Sequence, residues 1–122
     1  MMKLKLQLGE YYTIEELKQA NADAGYYFFS PDTMRFFDSR VGENVYRGAD
    51  GWYFVTSEKF DYKTQRYYTV RKMLPGGDVV NASEFQQYRS APGAKAAAER
   101  WAKQSIAAAE AQIKKEDQND NR

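Results

Sequence analysis

Residues 25–40, GYYFFSPDTMRFFDSR, constrain the fold more than any other part of the sequence. They hold six aromatic residues in two clusters, on either side of a Ser-Pro-Asp-Thr motif. Residues 26–29 are too few and too uniformly aromatic for a surface helix, and they predict a strand that is buried on both faces. The motif predicts a helix start, with Ser30 as N-cap and Pro31 in the first helical position. We therefore expect a strand and a short central helix that anchor the core.

A leading strand and a first helix are predicted before this anchor. Leucines at alternate positions of residues 4–8 show the period-two pattern of a half-exposed strand. Thr13 and Glu16 have the spacing of a capping box, and Gly25 is a typical residue just after a helix. The predicted apolar face of this helix comprises Ile14, Leu17, Ala20 and Ala24.

A three-stranded meander is predicted in the centre of the chain, after a short strand at 45–47. Residues 52–58 and 66–74 alternate and are rich in strand formers, with a polar connection at 59–65. The third strand lies around Val79 and Val80 and resumes near Phe85. In the second strand the predicted core face carries Tyr68, Val70 and Leu74, and the outward face carries Tyr67, Thr69 and Arg71 beside Tyr53 or Trp52.

The longest predicted helix runs from Ala94 to about Lys114, after a start at 90–93. Its apolar stripe is made mostly of alanines, with Trp101 as its one large residue, so we expect the helix to lie close across the meander. Residues 116–122 contain no apolar residue and are predicted to be disordered.

These elements predict an α+β fold. It is an antiparallel β-meander sheet of about four to five strands packed against a long C-terminal helix, with an N-terminal helix and a short central helix. Residues 1–115 are predicted to form one domain, followed by the polar tail at 116–122.

The sequence contains no histidine and no cysteine, which removes the usual general base, the usual metal ligands and any disulfide. Five carboxylates at 32, 38, 43, 50 and 58 fit no calcium-loop or two-metal spacing. We therefore predict that the chain is not an enzyme and that it binds no cofactor or metal. No apolar run approaches the length of a membrane span, so we expect no membrane association and a cytoplasmic location.

Charge is distributed unevenly, with a net +5 over residues 59–103 against −3 over residues 1–58. Aromatic rings beside guanidinium groups on the outward face of the meander can stack on bases and neutralise phosphates. The same face can instead be covered by the first helix and the central helix, since so many rings need burial. Both interpretations stay open from the sequence.

Two weak resemblances to nucleic-acid-binding folds rest on element order. Residues 46–48, Trp52, Phe85 and the helix at 94–101 are similar in order to the plant ethylene-response-type DNA-binding domain, whose sheet enters the major groove. The helix start at 95–98 resembles the end of a double-stranded RNA-binding domain. The chain lacks the dense arginines on the sheet of the first and the Lys-Lys helix start of the second.

A more specific resemblance covers residues 25–90. It is carried by FFSPDTMRFFDSR at 28–40, YFVTSE at 53–58 and YTVR at 68–71, with Phe85 before the alanine-rich helix. These segments look like small proteins of unknown function that bacteriophages and mobile elements encode. The resemblance implies a phage or prophage context, and hence the host cytoplasm, and it brings no catalytic residues.

We therefore predict a non-catalytic phage accessory protein that binds a host or viral macromolecule, a protein in the first place, with a host-interaction or anti-defence role. The alternative is a sequence-tolerant nucleic-acid binder that uses the basic meander and the C-terminal helix. A homodimer through the Ala and Ile stripe beyond Ile106 is a third hypothesis. The candidate contact residues are Arg35, Arg40, Tyr67, Arg71, Lys72 and Lys95.

Overall fold

The structure, a computed structural model, describes residues 11, 13–26, 28, 45–58 and 66–120. In chain order they form helix α1 (Ile14–Asp23), strands β1 (Tyr46–Arg47), β2 (Trp52–Glu58), β3 (Tyr67–Met73) and β4 (Val79–Asn81), and helix α2 (Ala91–Asp120). The strands form one antiparallel sheet in the order β1-β2-β3-β4. The predicted α+β fold is confirmed, with four strands in the described part of the chain. The predicted leading strand at 4–8, the central helix and the connection at 59–65 lie outside the described residues.

Helix α1 forms where the sequence predicts it because both of its ends are capped locally. Thr13 Oγ1 accepts a hydrogen bond from Glu16 N (3.3 Å), and Glu16 Oε1 accepts one from Thr13 N (3.1 Å), which completes the capping box. Gly25 follows the helix with a φ of 89°, a conformation that glycine adopts without strain. The predicted caps of α1 are confirmed.

The segment after α1 corrects the prediction of a buried strand at 26–29. Tyr26 lies in no strand and is 42% exposed, and Phe28 lies in a turn and is half-buried. Their N–H groups donate to Asn21, from Tyr26 to the backbone oxygen (3.0 Å) and from Phe28 to Oδ1 (3.2 Å). The backbone at these two positions therefore binds the end of α1 and does not pair in the sheet.

One face of the β2–β3 pair packs against α1. Ile14 and Leu17 of the helix are buried with side chains of the two strands, and Tyr11 and Phe28 pack at the margin of this cluster. The strand residues of the cluster are Trp52, Phe54 and Met73. Asn21, which the predicted apolar face omitted, is also buried and donates from Nδ2 to the backbone oxygen of Gly77 (2.6 Å). This bond joins α1 to the turn between β3 and β4.

The opposite face of the same pair packs against α2. Ser90 Oγ accepts a hydrogen bond from Gly93 N (3.2 Å) and begins the helix, as predicted, although the helix starts at Ala91. Five buried alanines let the helix approach the sheet closely, and Trp101 packs at the edge of the cluster. The strand residues beneath them are Tyr53, Val55, Tyr68 and Val70.

Both faces of β3 are therefore buried over most of its length. The prediction that Tyr68 and Val70 face the core is confirmed, but the predicted outward face is buried too, at Thr69 and at Arg71, which is 8% exposed. Leu74 lies beyond the end of β3 and is only half-buried. Met73, the last residue of β3, is buried instead, and it lies on the α1 face.

Helix α2 ends later than predicted, since it continues through residues 116–120, which we had expected to be disordered. Its last turns consist largely of Ala, Glu, Gln and Lys, which are strong helix formers. Ile106, Ala109 and Ile113 are half-buried on this extension. That a second copy covers them stays a prediction. None of the described helices has both the length and the apolar character of a membrane span.

Enlarging one interfacial alanine should reveal how tightly α2 packs. Ala98 is 0% exposed, so Ala98→Leu should lower the free energy of unfolding by about 1–3 kcal/mol through overpacking. Ala96 is exposed on the same helix, and Ala96→Leu should change stability by less than about 0.5 kcal/mol. Urea denaturation of both variants measures the difference. Equal stability of the two variants would contradict this packing.

Candidate functional site

The candidate contact residues do not come together as one group. Arg35 and Arg40 lie outside the described residues. Tyr67 and Arg71 share the α1 face of β3, where alternate residues of a strand point to the same side. Lys72 points to the opposite face, and Lys95 lies half-buried in the first turns of α2. The structure therefore places Tyr67 and Arg71 on the same face of β3 and Lys72 on the other.

Arg71 is held by contacts on several sides. Its Nε donates a hydrogen bond to Thr56 Oγ1 (3.0 Å), and its Nη1 donates to Asn81 Oδ1. Its guanidinium also lies over two aromatic rings, with Cζ at 5.4 Å from the ring centroid of Phe28 and 5.6 Å from that of Phe85. Hydrogen bonds and cation–π contacts offset the cost of removing the charge from water. These contacts hold the Arg71 side chain in place beneath the Phe85 ring.

Phe85 stands on a tight turn that exposes its ring. Gln87 N donates to the backbone oxygen of Glu84 (3.2 Å), which closes the turn around Phe85 and Gln86. Gln86 has a φ of 59°, the left-handed conformation that a type II turn requires at its third position and that usually needs glycine. Its N–H donates to Thr69 Oγ1 on β3 (2.8 Å). The Phe85 ring is 46% exposed at the tip of this anchored turn.

The turn also corrects the prediction that the third strand resumes near Phe85. β4 ends at Asn81, and pairing resumes only in an isolated antiparallel bridge between Tyr68 and Tyr88. The sequence around Phe85 does not predict the turn, because the residue with left-handed φ is Gln86 and no Gly or Pro is near it. The sequence therefore does not predict that the Phe85 ring is exposed.

The Tyr68–Tyr88 bridge determines where Arg89 lies. Tyr68 and Tyr88 both pack toward α2, and the Tyr88 ring centroid is 6.2 Å from that of Trp101. Arg89 follows the bridge in a bend that leads into α2. Arg89 is exposed there and makes no ion pair with a described residue. We call the exposed Phe85 ring, with Arg71 beneath it, the Phe85 surface.

A second polar cluster lies on the α2 face of the sheet, around Lys72, the residue that follows Arg71 in β3. Tyr53 donates its hydroxyl to Asp50 Oδ1 (3.0 Å), and Lys72 Nζ is 2.9 Å from Asp50 Oδ2. Ser105 of α2 accepts a hydrogen bond from Ala49 N (2.9 Å). Gly48 lies so close to this cluster that an added Cβ would be 2.5 Å from Ser105 Oγ. The cluster fastens the β1–β2 loop to β3 and to α2.

We call Asp50, Tyr53 and Lys72 the Tyr53 clasp. The pKa shifts in this clasp stabilise the fold. Burial and the hydrogen bond to Asp50 raise the pKa of Tyr53 from 10.0 to about 12. Burial opposes ionisation of Asp50, but the hydrogen bonds from Lys72 and Tyr53 hold the pKa of its carboxyl below its ordinary value. A phenol that must act as a base needs a lowered pKa, whereas the pKa of Tyr53 is raised. Within the described residues, no group of three or more acidic side chains is placed to hold a metal ion.

Comparison with known proteins gives a family but no individual relative. The model of a family of unknown function, DUF7447, matches residues 13–99, which is more than half of the chain. The match spans α1, the whole sheet, the Phe85 turn and the first turns of α2. No curated protein and no solved structure matches the chain.

The raised pKa of Tyr53 predicts a stability change at high pH. A group whose pKa is higher in the folded state stabilises the fold fully below pH 10.0, and this contribution is lost as the pH rises toward about 12. Tyr53→Phe should therefore cost about 1 kcal/mol at neutral pH, and less as the pH rises from 10.0 to about 12. Urea denaturation at several pH values measures this. A constant difference between wild type and variant over that range would contradict it.

The left-handed position in the Phe85 turn predicts a stabilising glycine. Gln86→Gly removes the cost of a left-handed φ and should raise the free energy of unfolding by about 0.5–1 kcal/mol, after the entropic cost of glycine. Gln87 has no positive φ, so Gln87→Gly should destabilise the protein instead. Urea denaturation of the pair tests this. A loss of stability in Gln86→Gly would be the opposing result.

Proposed function

We propose that this chain, which belongs to the DUF7447 family of unknown function, acts by binding a protein partner through the Phe85 surface and catalyses no reaction. The observation that carries the proposal is that the Phe85 ring is 46% exposed while its turn and the Arg71 side chain beneath it hold it in place. The phage accessory role and the host or viral origin of the partner, expected from the sequence resemblance, belong to the same proposal.

The composition of the Phe85 surface supports binding. Aromatic residues and arginine are enriched among the residues that contribute most to protein–protein affinity. Phe85 is exposed well beyond what a core ring needs, and it lies against the Arg71 guanidinium.

The rigidity of the Phe85 surface supports the same conclusion. A side chain that is already fixed in place loses less conformational entropy when a partner binds. Phe85 is fixed by the Gln86–Thr69 hydrogen bond and by Arg71 beneath its ring. Left-handed backbone at a non-glycine residue is also found preferentially at functional sites.

The clasp at Tyr53 supports a role without catalysis. The pKa values of its Asp50 and Tyr53 are both shifted, and both shifts stabilise the charge states that these groups have near neutral pH. Catalytic groups are shifted toward the working pH so that they can exchange protons. The pKa values of Asp50 and Tyr53 are shifted away from neutral pH.

The rival candidate is a sequence-tolerant nucleic-acid binder on the basic meander and α2, where Arg100 is exposed. It is less well supported, because Lys72 pairs with Asp50, Lys103 pairs with Glu99 and Arg71 is buried. Single-strand binders need a groove of available cations along the backbone path. A gel-shift titration at low salt decides this point, since such a binder must show salt-dependent shifts.

Removing the Phe85 ring should weaken partner binding. The wild-type chain and Phe85→Ala are immobilised and exposed to nuclease-treated host lysate, and the affinity of the purified partner is then measured by calorimetry. We expect affinity to fall by about tenfold or more for Phe85→Ala. Tyr26→Ala, which removes a ring of similar exposure outside the Phe85 turn, should retain binding. Thermal unfolding establishes that both variants are folded. An unchanged partner affinity in Phe85→Ala would refute the proposal.

A further inference from the structure

We infer that the open edge of β4 binds an extended segment of a partner protein, which joins the sheet as a further strand and brings a basic side chain to Asp78. The inference goes beyond the proposed function, because it concerns the backbone of β4 and does not depend on the Phe85 ring. It follows from the direction of the hydrogen-bonding groups of β4 and from the charge beside them.

The backbone of β4 bonds to the sheet on one side only. β4 is the last strand in the sheet order, and its neighbour is β3. Hydrogen bonds to β3 flank the strand two residues before and two residues after Val80, from Leu74 N to Asp78 O (2.7 Å) and from Ala82 N to Val70 O (2.8 Å). Since hydrogen-bonded pairs alternate along antiparallel strands, Val80 directs its N–H and C=O toward β3. Val79 and Asn81 therefore direct theirs to the open edge.

Three backbone groups at this edge have no hydrogen-bond partner among the described residues. They are the carbonyl oxygen of Val79 and both the N–H and the carbonyl oxygen of Asn81. The fourth group, Val79 N–H, donates to Asp78 Oδ1 (2.8 Å). Asn81 is exposed, so water reaches this part of the edge. An edge with such groups is a template on which an extended peptide forms main-chain hydrogen bonds.

Side chains on β4 favour an apolar residue in the middle of the added strand. Val80 lies opposite Lys72, on the α2 face of the sheet, and is half-buried. A residue that lies beside Val80 in the added strand would cover part of its remaining apolar surface, as cross-strand pairs do within a sheet. The edge itself is only three residues long, so this burial adds to a small number of main-chain bonds.

Asp78 determines the charge that the partner needs. Its carboxylate lies at the open edge, because Oδ1 accepts from Val79 N–H, which points there. Asp78 makes no ion pair with a described residue, and residues 75–88 contain no lysine or arginine. A lysine or arginine at one end of the added strand is its complement. A second copy of β4 would bring another carboxylate and no cation, so an unlike, basic partner is favoured over self-pairing.

The test uses the full chain and a library of random displayed peptides. Peptides selected on the wild type are counter-screened on Asn81→Pro, which removes the N–H that points to the open edge at a position where an edge strand accepts proline. Asn81→Ala is the matched control, since it removes the same side chain and keeps the N–H. By fluorescence anisotropy we expect the selected peptides to bind Asn81→Pro about tenfold more weakly than Asn81→Ala. A library in which no peptide distinguishes the two variants would overturn the inference.

Two measurements on the wild-type chain apply even if Asn81→Pro does not fold. N-methyl groups placed along a selected peptide should weaken binding by about tenfold at alternate residues only, because every second N–H of an added strand faces β4. Hydrogen exchange of the Asn81 amide, followed by NMR, should slow by about tenfold or more when the peptide binds. An Asn81 amide that exchanges equally fast with and without peptide would contradict strand addition.

Removing one charge isolates the basic side chain of the partner. Asp78→Asn keeps Oδ1 as the acceptor for Val79 N–H and should weaken the selected peptides by about threefold or more at low salt, and by less at high salt. Glu110→Gln makes the same change in charge at an exposed position of α2 and should leave the affinity unchanged. Equal effects of the two variants, or selected peptides without lysine and arginine, would overturn the role of Asp78.

Phe85→Ala separates this inference from the proposed function. Peptides that distinguish Asn81→Pro from Asn81→Ala should retain their affinity for Phe85→Ala, and this result supports strand addition whatever the Phe85 surface binds. Peptides that depend on Phe85 and bind both Asn81 variants equally would support the proposed function and count against strand addition.

Discussion

Burial of both faces of the β2–β3 pair is the constraint on which the rest of the described structure depends. Two adjacent strands that must be covered on each side require one layer of α1 and another of α2. Since the two layers touch different residues of the same strands, side-chain alternation assigns each residue to one helix or the other. A shift of one residue in register would exchange the two sets, so the burial also specifies the register.

Such a pair has no solvent-facing side for its polar residues. Thr56, Thr69 and Arg71 are all buried on the α1 face and must find partners inside the protein. Arg71 bonds to Thr56, and Thr69 accepts from the backbone of the Phe85 turn. The turn that exposes Phe85 is thus anchored by groups whose first role is to satisfy a buried sheet face. The Phe85 surface and the core are parts of one arrangement.

The sequence predicted the elements whose signals are local. The capping box of Thr13 and Glu16, the glycine after α1 and the alternation of β2 and β3 each depend on residues within a few positions of one another. It did not predict contacts between distant segments. The Asn21–Gly77 bond joins residues 56 positions apart, and the same Asn21 side chain accepts a hydrogen bond from Phe28 N, where a strand was predicted. Periodicity within a window contains no information about such a bond.

The candidate site was less predictable than the fold for a related reason. Basic and aromatic residues can be read from the sequence, but whether a side chain is exposed depends on what covers it. Arg71 was chosen as a contact residue and is buried, whereas Phe85 was assigned to a strand and stands exposed on a turn.

Gln86 links the rigidity of this surface to its energetic cost. A glycine would adopt the same φ without strain, but it would also give the turn more conformations in which the Phe85 ring leaves Arg71. Gln at this position restricts those alternatives at the expense of stability, which a marginally stable fold tolerates where orientation matters more than stability. The strained residue thus lies beside the exposed ring, where a fixed orientation is of most use to a binding surface.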